Sequence, residues 1–314
     1  GDTGNAVQFL ARMQDRSIEP DIVACTSLLN AYAKAAQASK AADWLARMEA
    51  RGLKPNIVSY STVVNAYGQA GRLEEAVRCF KSMEMRDLRP NVVAYSSVLT
   101  ACTKVAHVDE ALKWFLSMEG NLVEPNDVCY NIMVNSCSTA GRLEESVSWL
   151  TRMRENSIEP NIATYNGLVQ GHCRVGRFND AAAWLLKMQE AALEPSVASF
   201  STVVQSFAKA REASQASRWL LEMRRCDLKP SDSSYYGVLN AYCGVGRVDD
   251  ADQWLAMMRD DGFTPDVISY SGLVSACAKA AKAEEAIEWF ARMTDLRLEA
   301  NIITYSSVIN ACGR

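Results

Sequence analysis

Histidine is scarce in this chain of 314 residues, which contains only two. No two cysteines are separated by two residues, and no His-x-Glu motif occurs. These absences exclude a histidine-rich metal site and the zinc site of a nucleotide deaminase. A glycine-rich phosphate-binding loop is also missing. We therefore predict that this segment is not an enzyme and holds neither a metal nor a cofactor.

Long apolar runs are missing as well. None approaches the ~18 residues that span a membrane, and the chain has no initiator Met, signal peptide or transit peptide. Because the sequence starts and stops inside a repeating pattern, we expect it to be a segment of a longer protein. Its ten cysteines lack the spacing of a disulfide framework: Cys102, Cys137 and Cys277 take a place that Tyr67 and Phe207 fill elsewhere. Thiols that replace rings fill core volume, which predicts a reducing compartment.

The eight prolines of the chain stand 35 residues apart. Nine of the twelve methionines and all seven tryptophans keep the same period. Three residue types with one spacing indicate an array of repeats. The tryptophans border the apolar stripe of a helix, so we expect them to pack between repeats. The prolines are Pro20, Pro55, Pro90, Pro125, Pro160, Pro195, Pro230 and Pro265.

Each repeat is predicted to be a helical hairpin. Repeat positions are numbered from the second residue after the proline, so that residues 57–91 form one unit. Asn56 is a suitable N-cap for a first helix, helix A, from residue 57 to about residue 70, and Gly71 ends it. A second helix, helix B, follows over about residues 73–85. Neither helix buries its apolar face alone, so neighbouring hairpins must stack into an all-α solenoid.

Eight full repeats are predicted to form one continuous solenoid domain over residues 22–301. Residues 1–21 supply the second helix of a truncated repeat, and residues 302–314 supply the first helix of another. The full repeats begin at residues 22, 57, 92, 127, 162, 197, 232 and 267.

The two sides of helix A differ in composition. At ~100° per residue, positions 4, 7, 8 and 11 share one side. In residues 57–91 this side holds Tyr60, Val63, Val64 and Tyr67, which predicts core packing. Positions 2, 5, 9 and 13 share the other side. They hold mostly short aliphatic, small polar, amide or hydroxyl, and basic residues, and none is Asp or Glu in any full repeat.

This acid-free side predicts a groove for a nucleic-acid strand. The net charge of −4 alone argues against such a ligand. However, positions 1–14 of the full repeats hold five basic and two acidic residues, a net charge of +3. We expect bases to pack against position 2 and phosphates to meet position 13. The apolar residues at position 2 are Val23, Val58, Val93, Val128, Ala163, Ala198 and Ile268. The cations at position 13 are Lys34, Lys104, Arg174, Lys209 and Lys279.

Three motifs make the chain resemble the pentatricopeptide repeat family, in the class built only of 35-residue repeats. In residues 57–91 they are Tyr60-Ser61, Gly71-Arg72-Leu73-Glu74-Glu75-Ala76 and the ending Met83…Pro90-Asn91. The resemblance covers the whole chain and implies a right-handed α-solenoid superhelix of stacked antiparallel helix-turn-helix repeats. Members of this family bind single-stranded RNA, one base per repeat, so RNA is the implied partner.

In this family, the residues at positions 5 and 35 together select the base. Thr or Ser at position 5 with Asn at position 35 resembles the pairs that select adenine. Asn at position 5 resembles the pairs that select a pyrimidine when position 35 is Asn, and those that select cytosine when position 35 is Ser. Ser with Ser is a weaker adenine reader, and Tyr with Asp lies outside the pattern. The implied target is A-A-A-pyrimidine-C-(A)-any-A. Position 35 also suits a helix N-cap, and the two roles can coexist. The pairs are Thr26/Asn56, Ser61/Asn91, Ser96/Asn126, Asn131/Asn161, Asn166/Ser196, Ser201/Ser231, Tyr236/Asp266 and Ser271/Asn301.

Two alternative functions stay open. One is a protein-binding helical scaffold like the 34-residue tetratricopeptide arrays, although the period and the acid-free side argue against it. The other is the RNA-recognition arm of a processing enzyme whose catalytic domain lies outside this segment. The resemblance implies a role in RNA stabilisation, processing or translation in a mitochondrion or plastid. We expect RNA-processing proteins as further partners, no membrane attachment and a monomer.

Overall fold

A computed structural model describes residues 3–16 and 18–313 of the chain. Within these residues it consists of eighteen α-helices without a strand, so the predicted all-α fold of helical repeats is confirmed. The A helices are α2 (Ile22–Lys34), α4 (Ile57–Gln69), α6 (Val92–Lys104), α8 (Asp127–Thr139), α10 (Ile162–Val175), α12 (Val197–Lys209), α14 (Asp232–Val245), α16 (Val267–Lys279) and α18 (Ile302–Cys312). The B helices are α1 (Thr3–Asp15), α3 (Ala38–Ala50), α5 (Leu73–Glu84), α7 (Val108–Gly120), α9 (Leu143–Glu155), α11 (Phe178–Glu190), α13 (Ala213–Arg225), α15 (Val248–Asp260) and α17 (Ala283–Asp295).

The chain divides into two compact units, residues 1–171 and residues 172–314. In unit 1, α2, α4, α6 and α8 pack side by side, and in unit 2 the same holds for α12, α14, α16 and α18. The B helices pack against these A helices from the other side. Each unit therefore has a layer of A helices and a layer of B helices. The continuity of the array and its right-handed superhelical path stay predictions. None of the described helices combines the length and apolar character needed to cross a membrane.

Two repeat positions supply large side chains to the core of each unit. Position 4 is an aromatic ring in seven of the eight full repeats, with Cys25 in the first, and position 27 is a methionine in all eight. Tyr60 and Met83 show this in unit 1, where they are 2% and 0% exposed. Trp149, at position 23, packs edge-on against Phe115 of the preceding repeat, with ring centroids 4.7 Å apart. The predicted role of the tryptophans in packing between repeats is confirmed at this residue.

The cysteines at position 11 also lie in the core. Cys102, Cys137 and Cys277 are fully buried, as the exchange with aromatic rings predicts. Burial raises the pKa of Cys102 to about 12 and the pKa values of Cys137 and Cys277 to about 11. These thiols therefore stay protonated and act as small apolar groups.

Two residues in every full repeat adopt the left-handed backbone conformation, at positions 15 and 31. Position 15 is Gly71 in one repeat, with φ of 69°, and Ala36 in another, with φ of 57°. At position 31, Leu122 has φ of 58°. The following N–H then turns back onto the helix, as Arg72 N–H does in donating to the Tyr67 carbonyl oxygen at 3.0 Å. These turns explain why hairpins form even where glycine is missing, at a cost of roughly 1–2 kcal/mol for each non-glycine residue.

Neighbouring A helices approach closely at Gly68, position 12 of α4. A Cβ atom at this residue would lie 2.3 Å from the carbonyl oxygen of Ser97 in α6. Glycine is required here because the backbones of the two helices are nearly in contact. The close packing of α4 against α6 therefore depends on the missing side chain at residue 68.

Candidate nucleic-acid interface

The aliphatic side chains at position 2 are exposed on the A layer of both units. Val23 and Val58 in unit 1 are 71% and 57% exposed, and Ile268 in unit 2 is 62% exposed. The remaining members at this position, Val93, Val128, Ala163 and Ala198, are exposed as well. An apolar group that is exposed at the same position in seven of the eight full repeats has no partner in the core. It is available as an apolar surface against which a flat ring can pack.

The residues at position 35 cap the A helices through their side chains, as their types predict, except for Ser231, whose side chain makes no cap hydrogen bond to α14. In six repeats the side-chain Oδ1 atom accepts the backbone N–H of the third residue onward, at 3.0–3.3 Å. Because an N–H group only donates, the atom that faces it must be the oxygen. An asparagine cap therefore turns its Nδ2 donor away from the helix end. An aspartate cap turns its second carboxylate oxygen, an acceptor, in the same direction. The six caps are Asn56, Asn91, Asn126, Asn161, Asp266 and Asn301.

Position 5 lies between one A helix and the next, where it meets position 35. In unit 1 the Ser61 hydroxyl donates directly to Oδ1 of Asn91 at 3.1 Å. Thr26 reaches Asn56 indirectly: its Oγ1 lies 2.8 Å from Oγ of Ser59, which donates to Asn56 Oδ1 at 3.2 Å. The structure therefore brings both of these predicted pairs together, either directly or through a third side chain.

The Ser96/Asn126 pair is arranged differently. The Ser96 hydroxyl donates to the carbonyl oxygen of Val93 in its own helix at 3.1 Å. Asn126 caps α8 through the N–H of Cys129 at 3.1 Å. The two side chains are thus oriented separately, each by its own helix.

The Asn131/Asn161 pair forms the most connected cluster of unit 1. Nδ2 of Asn131 donates to Oδ1 of Asn161 at 3.2 Å, and the Thr164 hydroxyl donates to Oδ1 of Asn131 at 2.5 Å. Nδ2 of Asn161 donates to a carboxylate oxygen of Asp127 at 3.3 Å. Asn131 is only 9% exposed, so its amide is held in one orientation before any ligand arrives.

In unit 2 the same contacts recur with hydroxyl groups. Ser201 and Ser231 both lie 3.0 Å from the Ser234 hydroxyl. The Ser271 hydroxyl lies 2.7 Å from Oγ1 of Thr304, which donates to Asn301 Oδ1 at 3.0 Å. For the Asn166/Ser196 pair, Asn166 lies on α10 in unit 1 and Ser196 caps α12 in unit 2 through the N–H of Ser199.

Repeat seven departs from the others at both positions. Tyr236 occupies position 5, where its ring is half-buried, and Ser233 takes the place of the aliphatic residue at position 2. Burial raises the pKa of the Tyr236 phenol, and the negative charge of Asp266 raises it further. The Ser233 hydroxyl accepts from Nε2 of Gln205 at 3.1 Å. This repeat therefore offers neither the apolar surface nor the small polar group that its neighbours have.

The five cations at position 13 are all exposed but differ in their contacts. Nζ of Lys104 donates to the carbonyl oxygen of Gln69, the last residue of the preceding A helix, at 2.6 Å. Nζ of Lys279 likewise lies 3.3 Å from the carbonyl oxygens of Cys243 and Gly244. These two ammonium groups neutralise the negative end of the preceding helix and keep further N–H donors available.

Models of one protein family match nearly the whole chain. The model described as "Pentatricopeptide repeat domain" matches residues 8–70 and 253–314. The model described as "PPR repeat family" matches four overlapping segments between residues 55 and 209, and "PPR repeat" matches residues 198–228 and 233–263. The chain belongs to the pentatricopeptide repeat family. The family predicted from the sequence motifs is thereby confirmed.

Solved structures of pentatricopeptide repeat proteins are similar to this chain at low identity. Maize PPR10 in complex with an 18-nt psaJ RNA element is 21% identical with a TM-score of 0.47, over 96% of this chain and 53% of PPR10. The chain thus spans about half the length of PPR10. The PPR domain of Arabidopsis thaliana PRORP1 in complex with tRNA is 16% identical with a TM-score of 0.48, over 62% of this chain and 95% of that domain. No curated protein sequence shows significant similarity.

One feature of this pentatricopeptide repeat chain was not found from the sequence. Position 3 carries a hydroxyl group in six A helices, and in α4, α10, α14 and α18 its side chain contacts the pair at positions 5 and 35. The sequence signal was a Ser or Thr three residues after six of the nine caps, which is also the spacing of a capping box. That spacing reveals the contact with the cap, but the contact with the preceding helix requires the packed structure. These residues are Ser59, Thr164, Ser199, Ser234, Ser269 and Thr304.

Proposed function

We propose that the chain binds single-stranded RNA along the A layer, with about one base for each repeat. The observation that carries this proposal is the recurring pair at positions 5 and 35, held by hydrogen bonds beside an exposed aliphatic residue. Val58 with Ser61 and Asn91 is one such site. Membership of the pentatricopeptide repeat family and the cations at position 13 support the proposal, because bases need apolar surfaces and phosphates need positive charge.

The hydrogen bonds around Thr26 and Asn56 indicate which bases suit the first repeat. The proton of the Ser59 hydroxyl is used by Asn56 Oδ1, since that oxygen only accepts. The Thr26 hydroxyl must therefore donate to Ser59, which leaves its oxygen as an acceptor, while Asn56 Nδ2 is a donor. An acceptor beside a donor complements the amino group and ring nitrogen of adenine or cytosine and opposes the edge of guanine or uracil.

For the whole chain we propose the target A-A-A-pyrimidine-C-(A)-any-A, in which no particular base is selected at repeat seven. A role in RNA stabilisation, processing or translation in a mitochondrion or plastid rests on the family alone. Within this segment we propose recognition without catalysis, either as a complete function or as the recognition arm of an enzyme. Among the described residues, no group of three or more His, Cys, Asp or Glu side chains is placed to hold a metal ion.

Selection from a random RNA pool tests the proposal. The purified chain is expected to enrich an A-rich motif that contains one pyrimidine followed by cytosine. If the pool shows no enrichment at moderate salt, the proposed RNA recognition is wrong and a protein ligand becomes the better explanation.

A double variant links the motif to its residues. In Asn131→Thr with Asn166→Thr, both amides at position 5 become hydroxyl groups, so the pairs match the purine-reading pattern. We expect purines to replace the pyrimidine and the cytosine while the other nucleotides stay unchanged. Asn179→Thr is the control, because this exposed asparagine lies on helix B and should leave the motif unaltered. An unchanged motif in the double variant would contradict the assignment of position 5.

A further inference from the structure

We infer that the hydroxyl group at position 3 of an A helix positions the base-selecting pair formed with the preceding helix, and so contributes to base discrimination. This inference rests on the proposed RNA-binding function. Ser59 is the model case. Its side chain is fully buried, so it contacts no base itself, but its oxygen lies between Thr26 and Asn56.

Ser59 links the cap oxygen to position 5 and thereby fixes the direction in which the Thr26 hydroxyl donates. Its proton goes to Asn56 Oδ1, and its oxygen accepts the proton of Thr26 at 2.8 Å. Two rotatable groups are thereby fixed by one buried hydroxyl. Without it, the Thr26 hydroxyl would be free to rotate and to present its proton to a base, which would also allow the keto oxygens of guanine or uracil to bind.

Thr304 makes the same contacts in unit 2. It is fully buried, accepts from Ser271 and donates to Asn301, with the directions that apply in repeat one. Recurrence in both units, with Ser in one and Thr in the other, indicates that the hydroxyl group itself is needed rather than a particular side-chain volume.

Repeat six is a contrasting case within the same chain. There Ser201, Ser231 and Ser234 meet as three hydroxyl groups, each of which can donate or accept. No carboxamide oxygen fixes the direction of the protons. We therefore expect this repeat to discriminate weakly between amino and keto bases, although its position 3 hydroxyl is present.

The helix cap does not explain why position 3 is a hydroxyl. Three A helices have Ala24, Ala94 and Cys129 at this position, and all three are capped through the backbone N–H alone, at 2.8–3.1 Å. The hydroxyl is therefore dispensable for starting the helix. What it adds elsewhere is the contact with the preceding A helix, and this contact joins the two selecting side chains.

The test measures base discrimination at single nucleotides. The RNA selected by the parent chain is varied at the nucleotide opposite repeat one, and the ratio of Kd values for guanine and adenine is obtained by competition. Ser59→Ala is expected to lower this ratio by about two- to tenfold, the usual net effect of one neutral hydrogen bond. Ser59→Thr keeps the hydroxyl and should preserve it. In repeat two the Ser61 hydroxyl already donates to Asn91 Oδ1, so Ala94→Ser, which adds a position 3 hydroxyl there, should leave the ratio of that repeat unchanged.

Ser97→Ala provides the matched control. Ser97 is a buried serine on α6 whose hydroxyl donates to the Val93 carbonyl oxygen of its own helix and makes no contact with a selecting pair. The ratio of Kd values for guanine and adenine measured with Ser97→Ala should equal that of the parent chain. If Ser59→Ala weakens binding equally for all four bases, or leaves the ratio unchanged, the inference is overturned while RNA binding stands. If the parent chain enriches no RNA, the proposed function fails and the inference fails with it.

Discussion

Neutralising the cations at position 13 should change the salt dependence of RNA binding by a calculable amount. Lys34 in unit 1 and Lys209 in unit 2 are exposed and form no hydrogen bond or ion pair with the residues that the structure describes. Their charges are therefore available for phosphate groups. Replacing both by glutamine removes two charges without disturbing a contact that holds the helices together.

The magnitude follows from the release of counterions. For single-stranded nucleic acid, the logarithm of the binding constant falls with the logarithm of salt concentration with a slope of roughly −0.7 per phosphate contact. Five contacts give a slope of about −3.5 for the parent chain, and three give about −2.1 for Lys34→Gln with Lys209→Gln. At ~0.1 M salt, two contacts correspond to a loss of about 25-fold in affinity.

The assay is fluorescence anisotropy with a labelled RNA at several salt concentrations. The control is Lys40→Gln with Lys113→Gln, which makes the same change in net charge on exposed positions of helix B. Its slope should stay that of the parent. Equal slopes for both double variants would mean that the phosphates do not follow position 13, and the assignment of these residues would be wrong.

Two further predictions concern stability. Leu122 has a left-handed backbone and is 91% exposed, so Leu122→Gly should raise the free energy of unfolding in urea by about 0.5–1 kcal/mol. Gly52→Ala changes the same repeat position, where a Cβ atom meets nothing within 4 Å, and should lower the free energy of unfolding by a similar amount. If the two substitutions change the free energy in the opposite directions, the argument from backbone strain is refuted. Because burial raises the pKa of Cys102 from 9.0 to about 12, its thiol stabilises the folded state fully below pH 9, and this contribution is lost as pH rises towards 12. The free energy of unfolding in urea should therefore fall less between pH 8 and pH 11 for Cys102→Ala than for the parent chain. Equal decreases in the two proteins would contradict this prediction.

The fold was predictable because the repeat shows each constraint eight times. A residue suited to an N-cap at position 35 predicts the start of each A helix, and the apolar residues at positions 4, 7, 8 and 11 predict its core side. The left-handed residues at position 31 were harder to predict. Gly52 signals such a turn, but Leu122 has the same conformation although leucine disfavours it. Packing and backbone hydrogen bonds of the neighbouring helices determine the conformation there, and a single repeat would not have revealed it.

The candidate site was predictable as a set of positions but not as a set of contacts. The family resemblance implied that Ser61 and Asn91 form one pair, and the structure joins them by a hydrogen bond. Spacing did not show that Ser96 bonds to its own helix instead, because Ser61 and Ser96 are identical in type and repeat position. The difference between these two pairs depends on rotamers and on small shifts between neighbouring helices, which a sequence pattern does not contain.

The double use of position 35 limits how this protein's specificity can change. The residue that caps an A helix also forms the pair with the neighbouring position 5: Oδ1 of Asn91 accepts from both the Ala94 N–H and the Ser61 hydroxyl. Asn91 and Asp266 both form the cap through Oδ1, yet the first leaves an amide donor and the second a carboxylate acceptor. An exchange between them reverses the polarity presented to a ligand and keeps the cap, whereas alanine removes both and costs roughly 0.5–2 kcal/mol of stability. Specificity can therefore vary without loss of fold only among the few residues that cap a helix well, and every position 35 in the chain holds one of these.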